Sequence, residues 1–176
     1  MTTVSLEPVD SVTITTLMDN SSDMLLLDQG PAKRPSLTGG PERVAARFLD
    51  TGEVGDALIA EHGFSALITV TRGDDTHRIL FDAGISPNGV VENMRRLDMS
   101  PKDIEAMVIS HGHFDHTVGL DGLSVSLGGS AKMPVMIHPE FWSRRRIAIP
   151  GRSPSELPST SKSALIGAGF EVIEER

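Results

Sequence analysis

Alternating apolar and polar residues predict β-strands in the first half of the chain. Residues 11–19 (SVTITTLMD) are rich in β-branched side chains and alternate imperfectly, which predicts a strand. The segment MLLLDQ that follows is expected to continue this strand or to pair with it. Residues 64–73 and 77–84 flank the turn RGDD, so they predict a hairpin. Its first strand places these apolar side chains on one face: Phe64, Ala66, Ile68 and Val70.

Helical spacing and short apolar runs predict the next elements. Ser100 followed by Pro101 is typical of a helix start, here of the short helix PKDIEA. The brief apolar runs AMVIS (106–110) and PVMIH (134–138) predict buried strands. Residues 88–99 predict an amphipathic helix, with these residues on its apolar face: Val90, Val91, Met94 and Leu97.

The remaining segments complete an alternation of strands and helices. PEFWSRRR predicts a helix from residue 139, with Arg144 to Arg146 on a solvated face. Loops are predicted at 30–42 and 150–161, which are dense in Gly, Pro or Ser. Residues 161–175 predict a helix, a glycine stop and a strand. Because strands alternate with helices from the hairpin onward, the predicted fold class is α/β.

Composition narrows the class of protein. The length of 176 residues, with 39% hydrophobic and 23% charged residues, predicts one globular domain over 1–176. The net charge of −8 argues against nucleic-acid binding, which needs a cationic face. No signal peptide or membrane-spanning run is recognisable, so we expect a cytoplasmic protein without a membrane partner. Cysteine is absent, so any metal must be held by His, Asp or Glu.

Potential metal ligands crowd into the stretch SHGHFDHTVGL, directly after the predicted strand AMVIS. Ligand sites in α/β sheets lie beyond the carboxyl ends of strands, and a spacing of two lets His111 and His113 face one cation. Asp115 and His116 offer oxygen and nitrogen to a second cation. Packing explains such a cluster poorly, because burying these groups unpaired costs free energy. Nitrogen and oxygen ligands suit up to two zinc ions and tolerate iron or manganese.

This motif, His-x-His-x-Asp-His after a short apolar strand, resembles the signature of the metallo-β-lactamase superfamily. The segment ILFDAG (79–84) resembles the family's first motif, in which an Asp, here Asp82, supports the metal site. HTVGL resembles the continuation H-T-G-G-L, with Val118 replacing a Gly. Together with DSVTITTLMDN and AEHGFSALI, these motifs resemble a branch related to the dihydropterin–ribofuranosylaminobenzene phosphate synthases.

The resemblance implies both a fold and a set of roles. The fold is an αββα sandwich of two packed sheets, with metals at one end. His111 and His113 would bind the first metal, and Asp115 and His116 the second, with Asp115 also orienting the attacking water. Flavodiiron relatives carry Glu at the second motif position, so His113 favours zinc-type hydrolysis over redox chemistry.

Other candidates each have an ordinary alternative. Asp19 and Asn20 end the first strand and are either part of the site mouth or a simple turn. Glu61 and His62 either approach the metals or substrate, or form the turn into the next strand. His138 follows a strand and either faces the site or caps the following turn, and the capping interpretation is preferred.

Complete members of the family carry further ligands on the C-terminal side: a His, a bridging Asp and a last His. After His116 the chain offers only His138, in a different context. We therefore expect the N-terminal part of the fold, as a fragment, a truncated product or half of a split protein. The expected function is a metal-dependent hydrolase, whose activated water attacks an ester or phosphoester-type bond of a small molecule. The alternative is a non-catalytic remnant, a weak metal binder that associates with itself or with a C-terminal partner chain.

Overall fold

The computed structural model describes residues 6–23, 25–35 and 42–175. No helix in this part of the chain is long and apolar enough to cross a membrane. The described residues form three α-helices: α1 (Gly89–Arg96), α2 (Leu120–Ser126) and α3 (Lys162–Gly167). They also form ten strands: β1 (Ser11–Met18), β2 (Arg43–Ala45), β3 (Glu53–Gly55), β4 (Ser65–Arg72), β5 (Asp75–Phe81), β6 (Ala106–Val108), β7 (Met133–Ile137), β8 (Arg145–Ile147), β9 (Ser155–Leu157) and β10 (Phe170–Glu174).

A six-stranded mixed sheet in the order β1-β4-β5-β6-β7-β10 forms the centre of the fold. β1, β4 and β5 are antiparallel, whereas β5, β6, β7 and β10 run parallel to their neighbours. β2 pairs with β3 and β8 with β9 in two small antiparallel ribbons. The predicted α/β class and the β4–β5 hairpin are therefore confirmed.

One face of the sheet is buried against helices. Four register partners on neighbouring strands are each at most 1% exposed: Leu67, Leu80, Met107 and Val135. They share one core with apolar residues of α1 and α2, including Met94. Burying an apolar side chain of this size contributes about 1.5–3 kcal/mol, so this face is the main source of stability.

The opposite face is apolar and uncovered in the described part of the chain; we call it the open sheet face. Ile14 is 67% exposed, Met136 44% and Ile173 38%. Between them Ile79 and Val108 are only partly buried. A sandwich requires a second sheet on such a face, and the described residues add only the two ribbons. The structure thus contains the helix-covered sheet of the predicted αββα arrangement.

The segment MLLLDQ does not form the predicted strand. Met24 lies outside the described residues, and 25–29 contain no strand, only an isolated bridge between Gln29 and Ala32. The apolar side chains there remain exposed, and β1, the edge strand of the sheet, pairs only with β4 among the described residues. Of the predicted loop 30–42, residues 36–41 also lie outside the described part.

Two predicted helices are shorter than expected or absent. Pro139–Trp142 form only a 3₁₀ turn, and β8 follows where the helix was expected to continue. Its partner β9 lies in the predicted loop 150–161, and the pairing brings Arg146 within 3.3 Å of Glu156. The predicted helix PKDIEA is limited to a 3₁₀ turn, Pro101–Asp103. The chain then joins the sheet, because the Glu105 backbone N–H donates to the strand β5.

Candidate metal centre

The histidine motif and Asp82 meet because two parallel strands end side by side. β5 ends at Phe81, directly before Asp82, and its neighbour β6 ends shortly before the motif. The carboxyl ends of parallel strands lie at the same edge of a sheet. A backbone hydrogen bond of 2.8 Å from the Ala83 N–H to the His116 carbonyl ties the two loops together.

Asp82 lies beneath the motif as a buried acceptor. Its side chain is 1% exposed, and its backbone takes a positive φ of 55°. The carboxylate accepts hydrogen bonds from the Ser110 N–H at 2.8 Å, the Ser110 hydroxyl at 2.7 Å and His116 Nδ1 at 2.7 Å. An ionised carboxylate only accepts, so His116 carries its proton on Nδ1. In the neutral ring, Nε2 of His116 is then free to bind a cation.

His111 and His113 extend the same hydrogen-bonded chain. His111 Nδ1 lies 2.9 Å from the Ser110 hydroxyl, and His111 Nε2 lies 3.0 Å from His113 Nδ1. The rings of His111 and His116 have centroids 4.3 Å apart. Burial, and next the neighbouring imidazoles, lower the pKa of His111, which favours the neutral ring. Neutral imidazole is the form that binds metal.

Asp115 is the second carboxylate of the centre. Its Oδ2 atom lies 3.4 Å from His116 Nε2 and 3.4 Å from His62 Nε2. The Asp115 and His116 side chains are 16% and 18% exposed, whereas His62 is 73% exposed. His62 is thus the predicted substrate-side residue that reaches the motif.

The donor set fits a divalent cation in its chemistry, with imidazole nitrogen and carboxylate oxygen and no sulfur. Its side chains share hydrogen bonds with one another. Across residues 6–23, 25–35 and 42–175, no three His, Asp or Glu side chains already converge on one cation position. Binding therefore requires the imidazole rings to exchange these mutual contacts for the metal.

The loops around the centre are linked by hydrogen bonds of Asp19, Asn20 and Glu61. The Asp19 carbonyl accepts from the Glu61 N–H at 3.1 Å, and the Asn20 side-chain oxygen accepts from the Gly63 N–H at 3.2 Å. Oε1 of Glu61 accepts from two successive N–H groups of the loop after Asp82, at 3.1 and 2.9 Å. These three residues hold backbone segments together at the rim of the centre.

Two other histidines lie apart from the cluster. His138 Nδ1 accepts from the Glu140 N–H at 3.2 Å and caps the 3₁₀ turn that follows. His77 Nδ1 lies 2.7 Å from Oε2 of Glu105 near the start of β5. This hydrogen bond raises the pKa of His77, whose side chain is 61% exposed.

Sequence reasoning assigned no role to Ser110 or Gly63. Ser110 links Asp82 to His111, and a hydroxyl directly before the first histidine was the available signal. Gly63 has a φ of 120°, and a Cβ there would lie 2.2 Å from the Asp115 carbonyl oxygen. Only the tertiary structure brings these two backbones together.

A buried carboxylate that supports a His-Asp cluster at the carboxyl edge of an α/β sheet is an arrangement typical of metal-binding proteins. The family model described as Metallo-beta-lactamase superfamily matches residues 58–172, and the chain belongs to this superfamily.

Similar curated proteins are much longer than the matched segment. A 7,8-dihydropterin-6-methyl-4-(beta-D-ribofuranosyl)-aminobenzene-5'-phosphate synthase of Methanocaldococcus jannaschii is 36% identical over 47% of this chain. A ribonuclease Z of Pyrobaculum islandicum is 40% identical over 32% of this chain. These matches span 28% and 20% of the relatives' own lengths. Among solved structures, the metallo-beta-lactamase fold protein YhfI of Bacillus subtilis aligns with 95% of this chain and 48% of its own, with TM-score 0.45 and 14% identity.

Proposed function

We propose that this chain carries the metal-binding loop of a cytoplasmic, metal-dependent hydrolase that acts on an ester or phosphoester-type bond of a small molecule. The hydrogen bond from His116 Nδ1 to Asp82 carries this proposal. It is the arrangement that metal-binding histidines use, with the second ring N–H donated to a carboxylate. Family membership supports the same chemistry.

Each residue of the cluster has a separate proposed role. We expect His111 and His113 to hold one ion and Asp115 and His116 the other, with zinc as the best match and iron or manganese as alternatives. A metal held there would supply Lewis-acid activation of a water and of the substrate oxygen. The partly buried carboxylate of Asp115 accepts a hydrogen bond from the attacking water and orients it. Asp82 keeps the proton of His116 on Nδ1 throughout.

The relatives' names support the family's chemistry and leave the substrate open. One is a synthase of a phosphate-containing pterin compound and the other a ribonuclease. The net charge of −8 disfavours an RNA substrate for this chain, because phosphate backbones bind to cationic surfaces. A small-molecule substrate is therefore the better proposal.

A second candidate is a non-catalytic metal binder. The four motif residues provide two protein ligands for each of two ions, whereas a catalytic zinc normally has about three plus water. The open sheet face adds a reason to expect assembly rather than catalysis by the isolated chain.

Equilibrium dialysis against zinc tests the proposal. We expect His111→Ala and His113→Ala each to lower zinc affinity by more than about tenfold. His77→Ala is the control, because Glu105 holds this ring outside the cluster. Equal zinc retention in all three variants would refute the metal site. Zinc binding without hydrolysis of a nitrophenyl ester or phosphodiester would favour the non-catalytic alternative.

A further inference from the structure

The separation of His62 and Asp115 is that of two atoms able to bind one cation, and His62, Asp115 and His116 do not yet converge on one position within the described residues. Asp115 Oδ2 lies 3.4 Å from His62 Nε2 and the same distance from His116 Nε2. Charge-assisted hydrogen bonds between such groups are shorter, about 2.7–2.9 Å. Two ligand atoms bound tetrahedrally to one zinc at about 2.0–2.2 Å lie about 3.3–3.6 Å apart. Both observed separations fall within that range.

The backbone on both sides of His62 is anchored. Before it, the Glu61 N–H donates to the Asp19 carbonyl, and its carboxylate accepts two loop N–H groups. After it, the Gly63 N–H donates to Asn20, and Gly63 lies against the Asp115 backbone. A turn into β4 needs no imidazole at its tip. Here the anchored turn presents one to Asp115, with 73% of the side chain exposed.

We infer that His62 supplies a third protein ligand to the cation held by Asp115 and His116, an inference that rests on the proposed metal site. The three ligands would be two imidazole nitrogens and one carboxylate oxygen. About three protein ligands and an open position are what a catalytic zinc requires. His62 would thereby raise the protein ligands of the second cation from two to three, from a position far from the motif in sequence.

Cobalt provides a direct spectroscopic test, because the chain contains no cysteine. Cobalt(II) occupies zinc sites, and a thiolate ligand adds a ligand-to-metal charge-transfer band in the near ultraviolet. We expect this band when His62→Cys is titrated with cobalt. His138→Cys is the matched control and should lack the band, because His138 caps a turn outside the cluster.

Affinity provides the second measurement. We expect His62→Ala to weaken the binding of the second cobalt ion by at least about 10–100-fold. Removing a residue that only hydrogen-bonds to a metal ligand already causes a loss of this size. A substrate-contacting or purely structural His62 would leave the cobalt affinity unchanged.

The outcomes separate this inference from the proposed function. If wild-type protein binds cobalt, but His62→Cys lacks the band and His62→Ala retains full affinity, the inference is wrong and the metal site stands. If wild-type protein binds no cobalt, both are wrong. The band in His62→Cys with weakened binding in His62→Ala establishes the ligand.

Discussion

The imidazole of His116 donates its Nδ1 proton to Asp82 across 2.7 Å, and the same carboxylate oxygen accepts the hydroxyl of Ser110 at 2.7 Å. Ser110 in turn contacts His111. A single buried carboxylate therefore orients both ends of the motif, directly at His116 and through Ser110 at His111. The orientation of the imidazoles thus depends on a residue that need not touch a cation.

Replacing Asp82 by Asn tests this dependence. We expect Asp82→Asn to weaken zinc binding by about 10–100-fold, because the neutral amide is a poorer acceptor for His116. The fold should persist, since Asn tolerates the positive φ of 55° found there. Asp98→Asn is a matched control, because Asp98 has the same φ but is exposed and distant from the motif. Zinc affinity and thermal unfolding of both variants distinguish the roles; early melting of Asp82→Asn alone would show that Asp82 mainly holds the turn.

A methyl group at Gly63 should disrupt the rim of the centre. The added Cβ would lie 2.2 Å from the Asp115 carbonyl oxygen, so one of the two loops must move. The φ of 120° at Gly63 adds backbone strain to this clash. We therefore expect Gly63→Ala to lower the free energy of unfolding by more than about 1–3 kcal/mol. Gly52→Ala is the control for a positive φ without a close approach, because Gly52 has a φ of 70° and its Cβ would meet no atom within 4 Å. Equal losses in urea denaturation would contradict the close approach.

The hydrogen bond between His77 and Glu105 should make stability depend on pH. It raises the folded-state pKa of His77 above its ordinary value of 6.5. A raised pKa stabilises the fold fully below the unfolded-state pKa, and this stabilisation disappears as pH rises through the folded-state pKa. Glu105→Gln should therefore lower the urea midpoint near pH 6 and leave it unchanged near pH 9.

The exposed carboxylate of Glu171 on β10 is the matched control for this pH effect. Glu171→Gln should not change the urea midpoint differently at the two pH values, because Glu171 is not paired with His77. A Glu105→Gln effect that is equal at both pH values would mean that the ion pair contributes nothing.

The open sheet face should cause the isolated chain to self-associate. Two sheets that pack face to face lie about 10 Å apart, and another copy of this chain offers an identical apolar surface. We expect concentration-dependent dimers by light scattering, and Ile14→Lys should shift the protein to monomer. Val125→Lys is the control, because Val125 is 77% exposed but lies on α2. A monomeric wild-type chain at high concentration would contradict this expectation.

The sequence alone determined the motifs and elements that are formed by residues close together along the chain. The motif from His111 to His116 is readable because its members lie within one loop. Alternation predicted β1 and the β4–β5 hairpin, and helical spacing predicted α1. The pattern did not tell which face of β4 the helices cover: Ile68 and Val70 lie on the open sheet face, while Leu67 faces the helices. Alternation shows that a strand has two faces, and only packing decides which one is covered.

Only the tertiary structure decided the contacts between distant segments. His62 reaches Asp115, and Asp82 reaches His116, because the sheet places β4, β5 and β6 side by side. The β8–β9 ribbon also depends on pairing, because its two strands are too short to be recognised alone. Arg146 and Glu156 form an ion pair across it. Hydrogen bonds between strands depend on register and neighbour order, which local composition does not encode. Ligands within one loop can therefore be read from the chain, whereas the residues that orient and complete the site depend on the fold.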